Sequence, residues 1–253
     1  MAPEKAAAAA LRTLVVDDEA AARALLVEYL AAHPDVEVIA ECADGYAAVK
    51  AAGDLHPDLL LLDVEMPKLN GFEVLELIAA GPAVVFSTAF DRYAVRAFEI
   101  NAVDYLLKPF SAERLAEALA RVRERRARGL GTPPRAAIVR AWAAGRPLER
   151  IVVRSPERIH VIPVERLDFI EARDDSVRLK AGSEEHLKAQ PLAELESLLD
   201  PARFIRIHRS FLLNLDRLAR LELYAKDSHV AILADGTRLP VSRAGYARLK
   251  PLL

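Results

Sequence analysis

Asp17, Asp18 and Glu19 close one short aliphatic run, Leu14-Val15-Val16, and Asp63 closes another, Leu59 to Leu62. Several carboxylates gathered in one place repel one another unless a hard cation sits between them. Mg2+ is the natural choice, because it prefers oxygen ligands and keeps some of its waters. Ser87 and Thr88 end a third run and supply hydroxyls, and Lys108-Pro109 follows a fourth. This set suits phosphoryl transfer. A carboxylate can attack phosphorus and become an aspartyl phosphate. The moving phosphoryl group spreads charge over its equatorial oxygens, so catalysis is positioning plus countercharge. The cation neutralises one side, a lysine ammonium another, and a hydroxyl donates a hydrogen bond. Asp63 is the nucleophile candidate, since it stands alone at its strand end, with Asp17 and Asp18 as metal holders.

The chemistry works only if the fold brings these strand ends to one edge. The front of the chain alternates aliphatic runs with amphipathic stretches, which predicts five strand–helix units. The strands are expected at Leu14–Val16, Val36–Ala40, Leu59–Leu62, Ala83–Phe86 and Ala102–Leu106. The helices are expected at Ala20–Ala32 (Leu25, Leu26, Tyr29 and Leu30 on one face), Tyr46–Ala52, Phe72–Ala80, Tyr93–Ile100 and Ala112–Arg128. Such a pattern implies an α/β doubly wound, five-stranded parallel sheet with helices on both faces. Sheets of this kind place their ligands beyond the carboxyl ends of the strands.

With these motifs in order, the front half resembles the CheY-type receiver family. LVVDDE at Leu14 to Glu19, LLLLDVEMPKLNG at Leu59 to Gly71, FSTAF at Phe86 to Phe90 and DYLLKPF at Asp104 to Phe110 carry the resemblance. It implies Asp63 as phosphoacceptor and Asp18 as a direct Mg2+ ligand. Asp17 would hold the metal through water, and the backbone carbonyl of Glu65 would complete the protein ligands. Thr88 and Lys108 would contact the phosphoryl group, and Tyr105 would be the switch aromatic that turns inward as Thr88 moves. A cis Lys108-Pro109 bond is also implied.

Residues 129–149 break the rhythm with Gly129, Gly131, Pro133, Pro134, Gly145 and Pro147 among arginines, which reads as a linker with room for a short helix at Ala141 to Ala144. Beyond it, short Val-, Ile- and Leu-rich runs alternate with turn residues, including Asp235-Gly236, and predict a mostly β domain. The expected strands are Ile151–Val153, Arg158–Ile162, Leu167–Ala172, Val177–Lys180 and one around Leu187. One helix is expected at Leu192–Leu199 and a short one from Ala244. FIEA at Phe169 to Ala172, FIRIHRSFLLNL at Phe204 to Leu215 and GTRLPVSR at Gly236 to Arg243 resemble the LytTR DNA-binding family. The resemblance implies double-stranded promoter DNA met by three loops: Arg173 to Ser176, His208-Arg209-Ser210, and the region of Arg243. Arginine can bind guanine bidentately or phosphate oxygens. Arg209 and Arg243 suit either contact, and His208 suits either a DNA donor or a buried ring bonded to backbone. Asp174 and Asp175 make the first loop acidic. The region holds no pair of adjacent amphipathic helices, hence no helix-turn-helix.

Composition fits two domains with different partners. Residues 1–126 carry a net charge of −8, against +3 over 127–149 and +3 over 150–253. No apolar run is long enough to span a membrane. Lys5 before an alanine run faintly mimics a signal peptide, but Arg12 interrupts it and acidic residues follow, so residues 1–10 read as a flexible leader. Cys42 is the only cysteine, which excludes an intrachain disulfide and suits a reducing cytoplasm. His208 and Ser210 lack the surroundings of a hydrolase pair. His160, His186, His208 and His229 are scattered without zinc-site spacing. The expected organisation is a receiver over 11–128, a linker over 129–149 and a DNA-binding domain over 150–253. By resemblance, a sensor histidine kinase supplies the phosphoryl group, and the receiver dimerises through Tyr93–Ile100 and Ala112–Arg123. The chain then regulates transcription without being an enzyme beyond its own phosphoryl transfer. The alternative output is a module that binds protein or RNA.

Overall fold

The computed structural model describes residues 10–78, 81–90, 102–129, 147–155, 158–225 and 228–252. The chain divides into two compact units, Met1–Ala144 and Gly145–Leu253. The leader, the expected helix at Tyr93–Ile100 and the centre of the linker lie outside the described residues.

In the first unit, β1 (Leu11–Val16), β2 (Val36–Cys42), β3 (Leu59–Leu62), β4 (Ala83–Thr88) and β5 (Asp104–Leu107) form one sheet in the order β2-β1-β3-β4-β5. Every pairing in it is parallel. The helices are α1 (Ala20–Leu30), α2 (Gly45–Leu55), α3 (Gly71–Leu77) and α4 (Ala112–Ala127). β3 is buried at all four positions, as a central strand covered on both faces must be. One side of the core joins Val15, Leu59, Leu61, Val85 and Leu106 to Leu26 and Leu30 of α1 and to Leu115, Leu119 and Val122 of α4. The i, i+4 pair Leu26 and Leu30 makes the buried stripe of α1, whereas Leu25, expected on that face, is exposed. α3 starts with a reciprocal cap: the Asn70 side chain accepts from the Glu73 N–H while Glu73 accepts from the Asn70 N–H.

The second unit is mostly β. Its main sheet has the order β10-β9-β8-β12-β11, from β8 (Phe169–Arg173), β9 (Ser176–Ala181), β10 (Glu184–Lys188), β11 (Phe204–His208) and β12 (Phe211–Asn214). A hairpin of β6 (Arg150–Arg154) and β7 (Ile159–Pro163) and a three-stranded sheet of β13 (Leu218–Ala225), β14 (Ser228–Leu233) and β15 (Arg238–Val241) complete the strands. α5 (Leu192–Glu196) and α6 (Arg243–Leu249) are short. The main sheet separates two cores. Leu195, Leu199, Ile170, Leu179 and Leu212 fill one. Ile207, Leu213, Ala231, Leu239 and Leu249 fill the other. Leu148 and Glu149, read as the end of the linker, already belong to this unit: the Leu148 N–H donates to Leu198, and Glu149 accepts from Val164.

Candidate functional site

The parallel sheet delivers its polar strand ends to one edge. Asp17 follows β1, Asp63 follows β3, Thr88 ends β4 and Lys108 follows β5. Lys108 Nζ donates to Asp17 Oδ2 at 2.6 Å and to Asp63 Oδ2 at 2.9 Å. The other oxygens of the two carboxylates accept backbone N–H groups two residues on, from Glu19 at 3.0 Å and Glu65 at 3.2 Å. Those bonds fold each chain end back and leave Oδ2 facing the ammonium. Asp17 is fully buried, Asp63 nearly so, and Asp18 is exposed.

Burial pushes the Asp17 carboxyl above the usual aspartate value, even against the hydrogen bond and charge of Lys108. Burial pulls the lysine down, but bonds to two carboxylates outweigh it and raise the ammonium above its ordinary value. The directions are compatible because one cation serves two anions: Lys108 gains twice, while Asp17 also feels Asp63.

Two close approaches shape the loop after Asp63. The Gly71 N–H donates to the Val64 carbonyl at 2.9 Å, and a Cβ on Gly71 would fall on the Asp63 carbonyl. A Cβ on Gly45, at the start of α2, would meet Leu69 in the same loop. The Lys108–Pro109 bond is cis.

Carboxylate oxygens of Asp17, Asp18 and Asp63 lie within 4.8 Å of one another, in a donor set of hard oxygens. Such a set fits a small divalent cation of the Mg2+ kind. A second feature is a hydroxyl waiting for a partner: Thr88 Oγ1, like Ser87 Oγ, is buried and bonds to nothing among the described residues. Tyr105 is turned inward, its hydroxyl donating to the Phe90 carbonyl.

Sequence reasoning missed three arginines here. Arg23 of α1 donates through Nη1 to the Asp17 carbonyl at 2.8 Å and to the Asp18 carbonyl at 3.3 Å. Arg114 of α4 clamps the buried Asp104 bidentately, at 2.8 and 2.6 Å, and Arg121 adds a further bond. Each sits on a helix with only charge to mark it.

In the second unit the three expected loops converge at one end of the main sheet. The β8–β9 turn, with Asp174 at φ +48°, and the β11–β12 turn are joined by the Ala172 N–H donating to the Ser210 carbonyl at 2.8 Å. The start of α6 is joined to β11 by the Ser242 N–H and hydroxyl, which donate to the Ile207 carbonyl at 2.9 and 3.1 Å. Arg173, Arg209 and Arg243 are exposed there. Arg173 is held by Glu171 at 3.1 Å, and the Ser176 hydroxyl closes its own turn onto the Arg173 carbonyl. His208 is half-buried. Its Nδ1 accepts from the Ser210 N–H at 3.2 Å, which leaves Nε2 as the ring's donor. One nitrogen of His208 thus serves the backbone, as expected of a backbone-bonded ring, while the ring is only half-buried. Glu196, Arg206, His208, Arg209, Ser242 and Arg248 line a concavity of about 450 Å³ beside these loops.

His160 and His186, far apart in sequence, meet across β7 and β10 with ring centroids 4.6 Å apart. His186 Nε2 lies 3.3 Å from Glu184 Oε2, but the aspartate cluster of the first unit is the one metal-type group of three or more among the described residues. No described helix is long and apolar enough to cross a membrane.

Known proteins match both units. The family model for the response regulator receiver domain covers residues 13–120, and that for the LytTr DNA-binding domain covers residues 157–253. The sensory transduction protein LytT of Bacillus cereus is 30% identical over 246 residues, 96% of this chain and 99% of the relative. LytT of Bacillus subtilis is 32% identical over 246 residues, with the same coverage. The transcriptional regulatory protein BtsR of Salmonella typhi is 33% identical over 243 residues, 95% of this chain and 98% of the relative. With both family models in order and relatives matched end to end, the chain belongs to the LytTR-type response regulators, two-component proteins that regulate transcription in a phosphorylation-dependent way.

Proposed function

We propose that Asp63 is the residue that carries the phosphoryl group, received from a sensor histidine kinase in the cytoplasm. A carboxylate oxygen of Asp63 attacks phosphorus in line, the phosphorus–nitrogen bond to the kinase imidazole breaks, and that nitrogen leaves with the bond's electron pair. Lys108 balances the negative charge on the transferred group, and the Thr88 hydroxyl donates to one of its oxygens. Asp17, Asp18, Asp63 and the Glu65 carbonyl would hold Mg2+, which when bound supplies further countercharge to the phosphoryl oxygens. The observation that carries this reading is the ammonium of Lys108 shared between Asp17 and Asp63, beside a buried hydroxyl with no partner among the described residues. Beyond this self-modification the chain is not an enzyme.

The output is promoter DNA, met by Arg173, Ser176, His208, Arg209, Ser210 and Arg243. Support comes from the convergence of three loops with three exposed arginines at one sheet end. Phosphorylation favours a homodimer, which raises the effective concentration of the second DNA-binding unit on an adjacent half-site. The test is mass spectrometry and DNA binding after treatment with a small-molecule phosphodonor and Mg2+. Wild type is expected to gain one phosphoryl group at Asp63 and to bind duplex DNA more tightly. A gain in DNA affinity by Asp63→Asn under the same treatment would refute the reading.

A further inference from the structure

The turn between β11 and β12 is held from behind by a residue outside the DNA-facing set. Arg206 lies in β11 with its side chain largely buried. Its Nε donates to the His208 carbonyl at 2.8 Å, and its Nη2 donates to the Arg209 carbonyl. Nη1 donates to Glu196 Oε2 at 2.7 Å, at the end of α5. One planar guanidinium therefore takes two successive carbonyls of the turn and anchors them to another element. The strand pairing slips between Arg206 and His208, the mark of a bulge, and a bulge re-aims the side chains that follow it.

The three carbonyls from Ile207 to Arg209 are all accounted for. Ile207 accepts from Ser242, while His208 and Arg209 accept from Arg206. Fixing the carbonyls fixes the peptide planes, and with them the directions in which His208 and Arg209 leave the backbone. The Ser210 N–H then locks the His208 ring, with Nε2 as donor. A site that reads base edges must hold its donors to within a fraction of an ångström, and this turn is built to do so. Lysine could not replace the arginine: its ammonium is a single point, not a fork that spans two carbonyls and a carboxylate.

We propose that Arg206 is the positioning residue of the DNA-reading turn, setting His208 and Arg209 for recognition of base sequence without touching DNA itself, with Glu196 holding Arg206. The proposal rests on the reading that His208 and Arg209 face DNA, and its consequence concerns specificity. Disturbing Arg206 costs discrimination between sequences and leaves the nonspecific, salt-dependent attraction to phosphate intact. A direct phosphate contact would behave in the opposite way, weakening all duplexes alike and lowering the salt slope by about 1.

The test uses the full chain and a duplex that the wild-type protein selects from a random pool. Affinity for that duplex and for a scrambled one is measured by fluorescence anisotropy over a salt series. The variants are Arg206→Lys, Glu196→Gln, His208→Ala and Arg209→Ala. Arg206→Lys is expected to lower the ratio of selected to scrambled affinity roughly tenfold, the scale of one lost base contact, with the salt slope on scrambled DNA unchanged. In the imidazole 15N spectrum its His208 is expected to lose the single Nε2–H tautomer. A wild-type ratio, or a ratio unchanged with a slope reduced by about 1, overturns the proposal. If His208→Ala and Arg209→Ala also keep the wild-type ratio, the turn does not read DNA, and the proposal falls with that reading. If those two lose discrimination and Arg206→Lys does not, the proposal alone falls. Should Arg206→Lys fail to fold, Glu196→Gln carries the same test: a reduced ratio upholds the anchor, and a wild-type ratio overturns it.

Discussion

Lys108 Nζ lies 2.9 Å from Asp63 Oδ2, close enough that a group added to this carboxylate must displace or recruit the ammonium. The same nitrogen bonds Asp17, so the lysine keeps one anion whichever way the other changes. Phosphorylation adds charge and oxygen acceptors at that point. Lys108→Ala is therefore expected to slow labelling by a small-molecule phosphodonor by about 10²-fold, the usual cost of removing one preorganised donor to a developing charge. Time-resolved intact mass spectrometry reads this directly. Labelling at the wild-type rate would remove the lysine from the chemistry.

Thr88 makes a sharper case, because signalling and stability should move in opposite directions. Its hydroxyl is buried with no partner among the described residues, and a buried unpaired hydroxyl costs free energy in the unmodified protein. Thr88→Val keeps the shape and deletes the unsatisfied group. The expected thermal stability is equal or higher, by about 0–1 kcal/mol. The expected response of DNA binding to phosphodonor is lost. A destabilised variant would mean that the hydroxyl already has a partner in the resting protein.

Asp104 supplies the pH prediction. Burial pushes its carboxyl up, but the bonds and charges of Arg114 and Arg121 and the Tyr105 N–H bring it below the ordinary aspartate value. A carboxylate depressed in the fold contributes stability that is complete above its unfolded value. That contribution fades as pH falls toward the lower folded value. Arg114→Ala removes the largest of the depressing influences while Arg121 remains. The expected cost at neutral pH is about 1–3 kcal/mol. Acid unfolding, followed by circular dichroism, should begin at higher pH than in wild type. An unchanged acid limb would show that Arg121 suffices.

The receiver-like site was readable because a parallel sheet stacks its strand ends. Polar residues that terminate Leu14–Val16, Leu59–Leu62 and Ala83–Phe86 must meet once the strands are parallel, and Lys108 follows the fifth strand, Asp104–Leu107. The second unit was less readable where its strands are irregular. β13 shifts register between Leu218 and Arg220 and again between Leu223 and Ala225. These slips break the two-residue alternation, so neither β13 nor β14 stood out as a strand. Arg206 escaped for a different reason: two of its three partners are backbone carbonyls, which every residue has, and the third, Glu196, is ten residues away on another element. The meeting of His160 with His186 depends on how the β6–β7 hairpin lies by β10, which no local pattern encodes.

Gly245 and Arg243, two residues apart in α6, should separate positioning from contact. A Cβ on Gly245 would fall on the Ile207 carbonyl, which is backbone and cannot swing aside. Gly245→Ala must then push α6 off β11, loosening the bonds from Ser242 to Ile207 and moving Arg243 with the helix. Overpacking of this kind costs about 1–3 kcal/mol, so Gly245→Ala is expected to lose both thermal stability and DNA affinity. Arg243 is exposed at the first turn, and truncating a surface side chain shifts stability by only about ±0.5 kcal/mol. Arg243→Ala should keep the melting temperature and lose affinity. If its loss is equal for selected and scrambled duplexes and the salt slope falls by about 1, Arg243 holds a phosphate. If the loss is confined to the selected duplex, it reads a base. Wild-type affinity for both duplexes would take Arg243 out of the interface and leave α6 as scaffolding for the turn at His208.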